Sequence, residues 1–133
     1  MNNSHQNVSQ KYATVDLKTR VDMATPHELI NLLLQGAKTH IAIASGHMQR
    51  KQIKEKGEHI GKAINILEGL KNSLNYDQGD QVATNLFKLY NYIQHILLKA
   101  NLTNNEQLLI ESNTLLAEIH NAWQEIKTEI QSQ

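Results

Sequence analysis

The sequence predicts an all-α fold: an antiparallel up-and-down four-helix bundle over residues 25–133, preceded by a flexible N-terminal arm over residues 1–24. Three observations carry this. Apolar residues recur at helical spacing in four successive stretches. The links between them are only a few residues long, so neighbouring helices run antiparallel. The single proline, Pro26, stands where a helix begins rather than inside one. At 133 residues and 15.1 kDa, the chain is the size of one domain with one core.

The arm is polar and rich in Asn, Ser and Gln, with Val8, Tyr12, Val15 and Leu17 spaced too loosely to form a stable helix alone. An aromatic such as Tyr12 in so polar a stretch either plugs a groove or hangs free. The first helix starts at Pro26, with Thr25 as N-cap and Glu28 completing a capping box. One stripe runs through Ile30, Leu34, Ala37, Ile41, Ala44 and Met48, and an adjacent one through Leu29, Leu33, Gly36, His40, Ile43 and His47. With Leu32 they cover an arc of about 200°, twice what one core face needs.

After a short charged break near residues 49–51, a second helix carries Ile53, Ile60, Ala63, Ile64, Leu67, Leu70 and Leu74 on one side. Gly57 and Gly61 weaken it and would admit a close neighbour. Residues 75–79, NYDQG, form the clearest turn. The third helix, residues 81–102, is the most apolar. Val82, Leu86, Leu89, Ile93, Leu97 and Ala100 lie along one line, flanked by Ala83, Phe87 and Tyr90 on one side and Tyr92 and Ile96 on the other. Its arc spans about 240° and leaves Thr84, Lys88, Asn91, His95 and Lys99 as a polar ridge. The fourth helix, from residue 106 to about residue 130, has a narrower arc of about 120°, built on Leu108, Leu109, Leu115, Leu116, Ile119, Trp123, Ile126 and Ile130. The surplus on the first and third helices marks either central elements buried on wide arcs or the walls of a binding groove. The residues alone leave both open.

Composition excludes several function classes. Lys+Arg and Asp+Glu are balanced at 13 each, so no global field draws the chain to nucleic acid or to anionic membrane. The absence of cysteine removes disulfides, thiolate metal sites and thiol nucleophiles together. There is no signal-like apolar run and no stretch of 18 apolar residues for membrane insertion, so a cytoplasmic location is expected. The seven histidines show neither an HExxH motif nor a Glu followed three residues later by His, so neither metal nor other cofactor is expected. No nucleophile with a base, glycine-rich phosphate loop or isolated carboxylate pair points to an enzyme. The basic cluster Arg50, Lys51, Lys54, Lys56 and Lys62 reads as a solvated helix start, because Glu55 and Glu58 interleave with it.

Two stretches resemble a known family. Residues 21–41, VDMATPHELINLLLQGAKTHI, look like the opening of the FliS flagellar export chaperones, where Val-x-x-Ala-Ser/Thr-Pro-x-Glu-Leu leads to a Tyr-Asp/Glu-Gly-Ala step. Residues 73–101, SLNYDQGDQVATNLFKLYNYIQHILLKAN, resemble the second signature: a Leu-Asp turn, a Gly, Asn-Leu-x-x-Leu-Tyr-x-Tyr and a closing Ala-Asn. Trp123 falls where the family carries a tryptophan. This chain departs at Leu34 and Gln35, in place of Tyr and the acidic residue, and at Asn75 in place of Asp.

The resemblance implies a four-helix bundle that captures the disordered C-terminal segment of newly made flagellin in the cytoplasm. It would prevent premature polymerisation and deliver the subunit to the type III flagellar export apparatus, with other flagellar regulators as further partners. It also implies that the arm, through Val8, Tyr12 and Leu17, folds over the binding surface when flagellin is absent. Helical geometry places the contact residues on the outer edges of the two wide arcs: Leu29, Leu33, His40, Ile43 and His47, with Phe87, Tyr90, Gln94, Leu98 and Asn101. Pro26, Glu28, Gly79, Leu86, Leu89 and Trp123 are assigned to capping, turning or packing. The alternative is a self-associating helical adaptor or regulator of flagellar assembly, a homodimer through the same surplus surface.

Overall fold

The computed structural model describes residues 24–75 and 81–132, with side chains of the last helix described to residue 126. Four helices follow in order: α1 (Pro26–Gln49), α2 (Ile53–Asn72), α3 (Gln81–Thr103) and α4 (Glu106–Ser132). α1 starts at Pro26 with Thr25 as its N-cap, as the sequence predicts. Thr25 Oγ1 accepts from Glu28 N at 3.1 Å, Pro26 occupies the first turn and Glu28 faces the positive end of the helix dipole.

The helices pack in a closed square, α1 on α2 and α4, and α3 on α2 and α4. Cross-links fix the antiparallel sense. Along α1 and α4, His27 meets Trp123, Lys38 meets Asn113 and Gln49 meets Glu106. Along α2 and α3, Lys56 meets Asn101 and Lys71 meets Gln94. The core is the inner stripe of each helix, including Leu34 and Ile41, Ile60 and Leu67, Ile93 and Leu97, and Leu109 and Leu116, all essentially without solvent contact. The heptad stripe read on the first helix is thus the buried one, and the adjacent stripe lies at the α1/α2 seam.

Some expectations change. The break between α1 and α2 is Arg50–Gln52, one residue later than read, because α1 runs on to Gln49. Lys56 is not on a solvated face. It is 2 % exposed, with Nζ donating to Asn101 O at 2.9 Å and Asn104 Oδ1 at 2.6 Å. A long aliphatic stem carries its ammonium to the carbonyl end of α3, where helix carbonyls lack amide partners, and no spacing rule on α2 alone reveals this. Val82 stands on the apolar line of the third helix, yet it is 60 % exposed, while its neighbour Ala83 takes the buried place in that turn. Gly57 approaches α3, where an added Cβ would lie 3.6 Å from Asn101 Oδ1, while Gly61 meets no neighbour within 4 Å. The 75–79 turn lies, apart from Asn75, outside the described residues, as do Val8, Tyr12 and Leu17.

Candidate functional site

At the end of the bundle where α1 and α3 begin and α2 and α4 finish, the four helices leave an apolar cleft of about 530 Å³. Ile30 and Leu34 of α1, Leu74 beyond α2, Val82, Leu86, Leu89 and Tyr90 of α3, and Ile119, Trp123 and Ile126 of α4 wall it. Its volume lies within the range of small-ligand or side-chain pockets, and its few convergent polar groups offer little to a polar ligand. It therefore accepts apolar side chains. Tyr90 is buried in the wall, and burial pushes its phenol up to about 12, so the ring stays neutral at any physiological pH.

A clip holds one edge. Trp123 Nε1 donates to His27 O at 3.0 Å and the His27 ring nitrogen Nε2 donates to Trp123 O at 3.0 Å. The two rings stack at 4.5 Å between centroids. This reciprocal pair ties the first turn of α1 to α4 and sets the Trp123 ring against the cleft. Trp123, read as packing, thus packs and lines the site at once. His27 had no signal in the sequence, because its partner lies 96 residues away.

Of the ten residues placed at the contact surface, Tyr90 alone enters the cleft. The others come to two seams, one on each flank of α2. His40 and His47 meet His59 of α2, and Leu29, Leu33 and Ile43 share their helical face. On the opposite flank Phe87 lies under Lys71, whose Nζ is 5.2 Å from the ring centroid. Gln94 donates to Ile64 O and to Glu68, and accepts from Lys71. The Gln94 bond, then that of Lys71, holds the Glu68 carboxyl below its usual range. Asn101 gives its carbonyl to Lys56. Leu29, Ile43, Phe87 and Leu98 remain exposed, while Leu33, His40, His47, Gln94 and Asn101 are half-buried. The surplus apolar arcs are therefore split: much of each is core, and the remainder borders α2 and the cleft.

Imidazoles and their polar partners line the two seams of α1. His120 of α4, nearly enclosed, lies 2.6 Å from Asn31 Oδ1 and 3.1 Å from Lys38 Nζ. Burial, then the Lys38 charge, lowers its pKa. Burial likewise lowers that of His40, with His59 and Lys62 adding to it. Among the described residues no set of three His, Asp or Glu side chains is placed to hold a metal ion, and no helix is long and apolar enough to cross a membrane.

Residues 8–130 match the family described as flagellar protein FliS. The flagellar secretion chaperone FliSB of Pseudomonas aeruginosa is 43% identical over 114 residues, 86% of this chain and 90% of that protein. The flagellar secretion chaperone FliS of Salmonella typhimurium is 40% identical over 116 residues, 86% of either chain. That of Bacillus subtilis is 29% identical over 105 residues, 79% of this chain and 77% of its own. A match over nearly the whole bundle, with both sequence signatures inside it, leads to one conclusion: the chain belongs to the FliS family, a family of chaperones and not of enzymes.

Proposed function

We propose that this protein is a cytoplasmic flagellar secretion chaperone that captures the disordered C-terminal segment of flagellin, keeps it from polymerising early and hands it to the type III flagellar export apparatus. The observation that supports the reading most is the apolar cleft between the four helices, continued outward by exposed Val82 and Ile126. A disordered client loses conformational entropy on capture and needs extensive apolar contact to offset it. The exposed Leu29, Ile43, Phe87 and Leu98 on the flanks of α2 extend that surface around the bundle.

The segment 1–24 joins the chain about one turn before Ile30, a residue of the cleft wall. Stretched out, it would reach about 80 Å, ample to lay Val8, Tyr12 or Leu17 over the apolar wall as an internal competitor of the client. Titration calorimetry with a C-terminal flagellin peptide at two temperatures tests the capture. The expected result is a one-to-one complex with a large negative heat-capacity change, the mark of apolar burial coupled to ordering. No heat and no complex on gel filtration would sink the reading and leave a self-associating adaptor, which sedimentation would then reveal as a dimer indifferent to flagellin.

A further inference from the structure

Five of the seven histidines, His27, His40, His47, His59 and His120, gather at the two seams of α1. At the α2 seam the Nδ1 atoms of His40 and His59 lie 3.0 Å apart, with ring centroids at 5.2 Å. These distances put the two nitrogens nearly in line, so a proton on one points at a lone pair on the other. One added proton on the donor ring leaves the bond intact. A second removes the lone pair and sets two cations against each other. His47 stacks on His59 at 5.4 Å and donates from Nδ1 to Gln52 Oε1 at 2.6 Å.

At the α4 seam the logic is stricter. The Lys38 ammonium can only donate, so His120 Nδ1 must carry the lone pair and Nε2–H donates to Asn31 Oδ1. A proton on Nδ1 would oppose that ammonium. Cations stand beside three of these rings: Lys62 of α2 toward His40, Arg50 beside His47, and Lys38 of α1 toward His120. Among the described residues the ion pair is Glu68 with Lys71, on the side of α2 that meets α3, and no carboxylate pairs with these imidazoles.

We propose that α1 is a proton-sensitive stave of the bundle, which mild acid loosens from α2 and α4 together while the two seams of α3 stay closed. The lowered affinities of His40 and His120 for protons agree with this. An imidazole held neutral in the fold contributes stability in full above about pH 6.5, and that contribution is lost as the pH falls below it. Ile30 and Leu34 belong to α1, so loosening it unmakes one wall of the cleft. The device operates in the free bundle and needs no client.

Amide hydrogen exchange of the full chain at pH 7.5 and 5.5, corrected for intrinsic rates, tests it. Protection of α1 should fall about tenfold or more relative to α3. Replacing both rings by an uncharged donor and acceptor, His40→Gln with His120→Gln, should remove that difference. A uniform fall across the four helices, no fall, or a fall that survives in the double variant overturns the proposal. A second measurement needs no variant. Imidazole ¹⁵N signals of the unaltered protein should show neutral, Nε2-protonated His120 at pH 7.5, and its protonation should coincide with the loss of α1 protection. A cationic His120 at pH 7.5, or protonation without loosening, overturns it equally.

Discussion

The two ends of the bundle are built from the same helices and solve opposite problems. At one end, Arg50–Gln52 and Asn104–Asn105 turn the chain with very few residues, and polar groups close it. Lys56 reaches across to Asn101 and Asn104, Gln49 donates to Glu106, His47 and Arg50 both donate to Gln52, and Asn105 Oδ1 accepts from Gln107 N. At the other end the helices leave an apolar cleft whose main polar fastening is the His27–Trp123 clip. Hydrogen bonds are directional and satisfied in pairs, so the first end fixes the geometry. Apolar contact is not directional, so the second end is free to receive whatever apolar chain arrives.

The largest expected effect is on the closed end. Lys56→Ala strips a buried ammonium from two acceptors and should cost about 2–3 kcal/mol, read as a lower urea midpoint at unchanged m-value. Peptide affinity of the folded fraction should not move. A loss of affinity with little loss of stability would erase the division between the ends.

The converse belongs to the open end. Val82 lines the cleft with most of its surface in water, so Val82→Glu should change stability by less than about 0.5 kcal/mol. It should also weaken binding of the flagellin peptide about tenfold, by placing a carboxylate where apolar groups must dock. Unchanged affinity would move the client to the flanks of α2, where Leu29, Ile43, Phe87 and Leu98 stand.

The same division explains what the sequence reveals. Helical periodicity and one capping box place α1 within a residue, since these signals are local: Thr25, Pro26 and Glu28 are neighbours, and Leu34 to Met48 repeat at the pitch of the helix. The wide arcs on the first and third helices correctly signal surplus apolar surface. Which part is core and which part is open depends on the square arrangement, and there Tyr90 is buried while Val82 stays exposed. The polar fastenings stay hidden for the same reason. Lys56 on α2, His27 on α1 and His120 on α4 each find partners 45 or more residues away, and the stripe of the fourth helix gives no hint that a histidine is buried in it. The contrast within the closed end is subtler still, because Lys51 and Asn104 occupy equivalent places and only one of them is suited to it.

Both links end their helix with the same backbone device. Lys51 and Asn104 adopt φ of 59° and 51°, and the next amide reaches back five residues, Gln52 N to His47 O at 2.9 Å and Asn105 N to Ala100 O at 3.1 Å. Asparagine tolerates the left-handed region, and its side chain also accepts from Lys56. Lysine pays steric strain there, and its exposed side chain projects into solvent. Lys51→Gly should therefore raise stability by about 0.5–1 kcal/mol, the strain removed less the entropy added to the unfolded chain. Asn104→Gly, at the same backbone angle, should lower it by about 1 kcal/mol through the lost acceptor. Urea midpoints of the two variants decide the matter. If both glycines stabilise, Lys56 is held by the Asn101 carbonyl alone and the closed end owes its rigidity to backbone geometry. If both destabilise, the Lys51 side chain fastens its link as Asn104 does, and the two links are alike in chemistry as well as in shape.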